Sequence, residues 1–216
     1  MTRNPFSQRR AAALAGLAAG PWFALALLAL GDRVPGFDQA VHPPALLGAS
    51  GMPDALGWNL LGFLAPGLLA AFALQGLHRV LRTRDAGLVA RVGMTLLLLS
   101  AIAFAAQGLV PLELGRAVDA GPARLHIMAW TLWWLAASSG FVVLAAGSVR
   151  RPLSAIMALL AAIVMIMALH APSLPLAGGQ RERLALAAWF GWIAAASWRA
   201  LRDWRAWRTW RAWRQP

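Results

Sequence analysis

The chain has no cysteine and no lysine, and only 13% of its 216 residues are charged, about half the roughly 25% share of a soluble domain. Without cysteine there are no disulfides, thiolate metal sites or cysteine nucleophiles, and redox chemistry gives no guide to compartment. So few charges cannot coat a water-soluble surface. The basic residues are all arginine, twenty of them against eight acids, for a formal net charge of +12. Such a balance can signal nucleic-acid binding, but the arginines lie in short clusters between apolar runs. There they act as topology signals and contacts for anionic headgroups, so membrane lipids are the expected partners and nucleic acid is not. Inside the apolar runs, Asp, Glu and Arg are absent at mid-depth. That disfavours ion-coupled carriers and intramembrane proteases, which place ionisable groups there. Phosphate-cradling glycine loops, HExxH, GxSxG and EF-hand patterns are also missing.

What the chain does contain is apolar length: 60% of its residues are hydrophobic. About twenty helical residues cross the ~30 Å hydrocarbon core, and runs of that order recur at about 11–30, 55–77, 92–112, 126–149, 153–170 and 184–201. The expected fold is an all-α polytopic bundle of six transmembrane helices in one membrane domain, 1–201, followed by a tail, 202–216. The first run has the charge order of a signal peptide, but its length exceeds the usual h-region of about 7–15 residues, so it reads as a retained helix. Gly16 and Gly20 give it a GxxxG spacing, which lets another helix approach closely. Pro66 should kink the second span. The last is marginal, with fifteen uncharged residues between Arg183 and Arg199, about 22 Å of helix. Arg199 is expected to snorkel to the headgroups there.

Orientation follows from arginine placement. The N-terminal segment, second and fourth connections and tail hold fifteen arginines, whereas the three alternate connections hold five with six acids. The positive-inside rule puts both termini in the cytoplasm, as expected of a multi-pass protein of the inner (plasma) membrane.

On the outer side the sequence gathers Asp38, His42 and Asp54 in a long first loop, Asn59 and Gln107 near span ends, Glu113, Asp119 and Arg124, then His126 and His170. Asp38, His42, Asn59, Glu113, Arg124, His126 and His170 are the candidate binding residues. Imidazole and carboxylate together can ligate zinc or act as acid and base. His126 and His170, at similar depth near helix ends, have the minimum geometry for two axial haem ligands. No cofactor is assigned; haem and a divalent metal stay open, as does whether any reaction is catalysed. Outer-face polar residues are also simply where polar groups stay wet, and His126, Trp130 and Trp133 on one helical face fit an aromatic belt equally well.

The tail repeats Trp and Arg at Trp204, Arg205, Trp207, Arg208, Trp210, Arg211, Trp213 and Arg214. A period of three spreads four tryptophans over about 180° of a helix. Trp favours the headgroup zone and Arg anionic lipid, so the tail is expected along the cytoplasmic surface.

The stretch VPGFDQAVHPPALLGASGMPDALGWNLLGFLAPGLLAAFAL, followed by FAAQGLVPLELG and RLHIMAWTLWWLAASSGF, resembles the bacterial membrane family called domain of unknown function 998, over roughly 11–201. Pro35, Gly36 and Phe37, then Leu47 and Gly48, Asn59 and His126 look like that family's pattern; Ala45 and Leu46 stand where members often carry a Ser and an acid. The resemblance implies a six-helix membrane protein with no established reaction, and a remote kinship to eukaryotic proteins linked to lipid remodelling. The leading expectation is a lipid or small amphiphile held in a cavity open to the extracytoplasmic leaflet, lidded by residues 31–57. The alternatives are an enzyme, haem or metal protein using the outer cluster, and a structural subunit without ligand.

Overall fold

A computed structural model describes residues 5–83, 86–114, 121–171 and 173–212, with the side chains of 5, 6, 83, 122 and 204–212 left aside. Asp119, Trp213 and Arg214 therefore lie outside the described residues, and the tail's other tryptophan and arginine side chains are among those left aside. The chain is all-helical, without a strand among the described residues. Six helices are long and apolar enough to cross a membrane: Ser7–Gly31, Ala55–Arg82, Leu88–Gln107, Ala123–Gly147, Pro152–His170 and Gly178–Asp203. The protein is a multi-pass integral membrane protein. In lipid every backbone N–H and C=O must be satisfied internally, which is why uncharged runs of this length become helices.

The elements in order are α1 (Pro5–Gly31), a 3₁₀ turn (Pro44–Gly48), α2 (Ala55–Trp58), a π-helical segment (Asn59–Leu64), α3 (Ala65–Thr83), α4 (Leu88–Gln107), α5 (Gly121–Gly147), α6 (Pro152–His170) and α7 (Gly178–Ala212). They close into a ring: α1 packs on α3, α3 on α4, α4 on α5, α5 on α6, α6 on α7, and α7 back on α1. Small residues set the closest approaches. A Cβ on Gly93 of α4 would stand 2.5 Å from the Leu144 backbone nitrogen of α5, and one on Gly140 would stand 3.0 Å from that of Leu97. The Gly16 and Gly20 spacing is likewise a contact face, directed at Ser197 and Phe190 of α7.

Pro66 distorts the second span by way of a π segment. Proline has no N–H to give to the carbonyl one turn back, and the helix widens just before it, so that the Ala65 N–H reaches the Leu60 carbonyl. The Leu61 carbonyl accepts a hydrogen bond from the Trp22 indole of α1 at 3.0 Å. A carbonyl freed inside the membrane thereby finds a donor from a neighbouring helix.

The last span is longer than its uncharged interval. Helix α7 starts at Gly178 and takes in Arg181, Glu182 and Arg183, because the two arginines are occupied by the loops around them. Arg181 donates to the carbonyls of Ala171, Leu174 and Leu176, and Arg183 to that of His42 and to the Gln39 side chain. At its other end α7 continues through residue 202 to Ala212 without a break, so sixth span and tail share one helix.

Candidate functional site

The middle of the bundle, and the half toward the long first loop, are filled with aromatic rings. Phe23 of α1 stacks on Phe190 at 5.4 Å, Phe104 lies 5.3 Å from both Phe63 and Trp189, and Trp133 meets Trp189 edge-on at 5.8 Å. Trp58, Phe104, Trp133 and Trp189 are fully buried. One polar chain crosses this core: the Trp189 indole donates to the Ser100 hydroxyl at 3.1 Å, and that hydroxyl donates to the Leu97 carbonyl.

The opposite half, where α1 begins and the sixth span ends, is hollow. A cavity of about 810 Å³ reaches from Asp203 to Trp192 along α7, about 16 Å at the helical rise. Its walls are largely apolar, small residues such as Ala12, Ala73, Ala196 and Ala200 alternating with Leu77, Leu81, Met94, Leu144 and Met157. Trp192, held edge-on by Phe141 at 5.2 Å, marks its inner limit. Arg9, Arg10, Arg151 and Arg199 line it toward the arginine-rich end, against one acid, Asp203. Arg199 points a guanidinium nitrogen at the Met157 sulfur, 3.7 Å away, so it faces this cavity where snorkelling alone was expected. The cavity is thus at the other end of the bundle from the one anticipated under the first loop.

That loop is a seal over the aromatic half. The Gly179 and Gln180 N–H groups donate to the Val41 and Ala40 carbonyls, and the Ser50 N–H to the Leu112 carbonyl. Gly48 sits so close to Asn59 and Trp58 that a side chain has no room. Pro44, Leu47 and Ala49 of the loop are buried, and Arg33 pairs with Asp54 at 3.3 Å, an exposed contact of little energetic weight.

The outer candidates divide among separate surroundings. Asp38 and His42 close a turn on themselves: the Asp38 N–H donates to His42 Nδ1 at 2.9 Å, and the Asp38 carboxylate accepts from the Ala40 N–H. His42 also stands 5.7 Å from the Phe37 ring. His170 is exposed and lies against Trp134 at 4.4 Å, in a recess of about 250 Å³ shared with Trp130, Arg181 and Glu182. Arg124 is exposed near the start of α5, and Glu113 is half-buried after the end of α4.

Asn59 and His126 both lie inside. The Asn59 amide donates to the Gly48 carbonyl at 2.9 Å, its backbone carbonyl abuts Gly108, and His126 Nδ1 lies 2.8 Å from the Val110 carbonyl. His126 is thus an interior residue, 3% exposed, and His170 a surface one, so the similar depth that offered them as two axial haem ligands does not make their surroundings alike. Among the described residues no group of three His, Asp or Glu is placed to hold a metal ion. The arginine cavity went unnoticed in the sequence; its signal was the run of Ala and Gly on the basic-end turns of α1, α3 and α7. Comparison with protein-family models, curated proteins and solved structures finds no match to this chain.

Proposed function

We propose that the protein binds an anionic lipid or small anionic amphiphile at its arginine-rich end, with the apolar chain in the cavity and the head among Arg9, Arg10, Arg151 and Arg199. The observation that carries this reading is the combination of an apolar cavity of about 810 Å³ with four arginines against one aspartate along its lining. An arginine guanidinium binds phosphate or carboxylate bidentately and is weakly hydrated, which suits a headgroup site at a membrane surface. The positive-inside rule assigns this end to the cytoplasm of the inner membrane, so the ligand comes from the cytoplasmic leaflet and not, as first expected, from the outer one. Kinship with domain of unknown function 998 is proposed alongside, on the motif residues alone.

The test is thermal stability of delipidated protein in detergent with added phosphatidylglycerol or phosphatidylcholine. A ligand at a hundred times its Kd stabilises the fold by about 2.7 kcal/mol. The anionic lipid should raise the transition, the zwitterionic one much less, and the difference should shrink in Arg10→Gln/Arg199→Gln and at high salt. Equal shifts for both lipids would remove the headgroup site, and no shift with either would leave a structural subunit.

A further inference from the structure

We propose that the open recess at the rim of the bundle binds a zwitterionic phospholipid headgroup of the ethanolamine kind, its primary ammonium held among Trp130, Trp134, His170 and Glu182. The recess is separate from the arginine cavity, which reaches the opposite end of α6.

Three helices build it. The recess, of about 250 Å³, lies where α6 ends at Leu169 and His170 and α7 begins at Gly178, Arg181 and Glu182, against Trp130 and Trp134 of α5. The same helix ends bound the fifth and sixth membrane spans, which puts the recess at headgroup depth. Trp130 and Trp134 are one turn apart and share a face of α5. Both rings are braced, Trp130 by the buried Trp133 ring at 4.7 Å and Trp134 by His170 at 4.4 Å. At ~30 Å³ per water the space equals about eight waters, room for a headgroup and not for its acyl chains.

Glu182 lines the recess half-buried, and no described residue gives its carboxylate a hydrogen bond. Arg183 attracts it electrostatically but directs its donors at Gln39 and the His42 and Gly179 carbonyls. Arg181 gives its own to the carbonyls of Ala171, Leu174 and Leu176. Withdrawing a carboxylate from water is costly unless a donor replaces the water.

The chemistry of the lining selects the ligand. A primary ammonium has three N–H donors and a full charge. Glu182 and the imidazole of a neutral His170 accept from it, and the faces of Trp130 and Trp134 attract a cation through the ring quadrupole. Arg181 also lines the recess, so one acid stands with one arginine there, whereas the cavity at the other end has four arginines to one acid. That balance suits a zwitterion, with phosphate toward the arginine and ammonium toward the acid, and not a bare anion. A quaternary ammonium has no N–H and would leave both acceptors unfilled.

Isothermal titration calorimetry of the full-length protein in detergent tests this with dihexanoyl-phosphatidylethanolamine and the phosphatidylcholine of the same chains. The ethanolamine lipid should bind saturably, about tenfold or more tighter than the choline lipid. Glu182→Gln, which keeps the shape and removes the charge, and Trp134→Leu should each weaken it by a similar factor. Arg10→Gln/Arg199→Gln should leave it unchanged, and Glu182→Gln should leave phosphatidylglycerol binding unchanged, so the two sites stand or fall separately. Equal binding of the two lipids to the unaltered protein overturns the proposal without recourse to any variant. So does ethanolamine-lipid binding that ignores Glu182→Gln or disappears in Arg10→Gln/Arg199→Gln, and Trp130 and Trp134 are then belt residues only. Should Trp134→Leu fail to fold, Trp130→Leu takes its place with the same expected loss, and full binding by that variant sinks the aromatic contribution and the proposal with it.

Discussion

The two halves of this bundle are built from the same six helices and solve opposite problems. Toward the first loop, Phe23, Phe63, Phe104, Trp133, Trp189 and Phe190 interlock at ring separations from 4.7 to 6.0 Å, and the loop seals the end. Toward the termini the inward positions mix small residues, among them Ala13, Ala73, Ala196 and Ala200, with aliphatic ones such as Leu77, Met94 and Leu144, and a cavity of about 810 Å³ remains. Lipid tails are as apolar as a leucine side chain, so helices in a membrane are held by close packing and not by flight from water. Ring-on-ring packing is concentrated in the half under the loop. What holds the bundle together and what leaves room for a ligand are therefore at different depths of one structure.

The sharpest way to break this division is Phe104→Ala. Phe104 is fully buried and touches Phe23, Phe63, Trp133, Trp189 and Phe190. Removing it empties a site whose neighbours are locked against one another, and a loss of about 3–5 kcal/mol is expected. The check is thermal or denaturant unfolding in detergent. A loss below about 1 kcal/mol would mean that the aromatic half is not the stabilising one.

Next in size is Gly93→Ala, at the seam of α4 and α5. The new methyl would meet the Leu144 backbone, which cannot move aside as a side chain can. Overpacking of this kind costs about 1–3 kcal/mol, and the same unfolding measurement reads it. An equally tight seam elsewhere, between Gly76 and Ala12 at the hollow end, offers a direct comparison, since its methyl would meet another methyl.

These residues also show how far the sequence could be read. The six spans follow from the lengths of uncharged runs, because lipid gives such a run no other structure. Gly16 and Gly20 were legible through their spacing. The seam of Gly93 and Gly140 was not: its residues come from two helices, and apolar residues all round each helix hide which face turns inward. The cavity was missed for the same reason. Alanines on α1, α3 and α7 become a cavity wall only when those faces converge, and no single helix records that. His126 and His170 looked equivalent by depth, yet one points into the core and the other out of it, a matter of helix rotation. The start of the last helix was misread because charge counts against a span, while Arg181 and Arg183 are occupied by loop carbonyls.

A smaller effect is expected at the Trp189–Ser100 polar chain through the aromatic core. Ser100→Ala removes the acceptor of the Trp189 indole but leaves ring packing intact. Hydrogen bonds between membrane helices average about 0.6 kcal/mol and reach about 1.7, so the loss should fall in that range. Trp189→Phe deletes the donor as well, and combining it with Ser100→Ala should cost no more than Trp189→Phe alone. Additive losses in this double-mutant cycle would show that the two groups are not coupled.

The smallest effect on stability, and the most informative control, is expected where the cavity is filled. Ala196 lines it from α7 and is half-buried. Leucine has nearly the helix propensity of alanine, and the added carbons enter empty space, so Ala196→Leu should change unfolding free energy by less than about 0.5 kcal/mol. Its consequence should appear in binding instead: the stabilisation by phosphatidylglycerol ought to fall sharply, because the apolar chain and the new side chain compete for one volume. Ala19→Leu, on α1 and completely buried beside the aromatic core, is the matched substitution in the other half and should be destabilising by about 1–3 kcal/mol. If Ala196→Leu proved as damaging as Ala19→Leu, the hollow end would be as tightly packed as the sealed one. The distinction between a holding half and a binding half would then have to be abandoned.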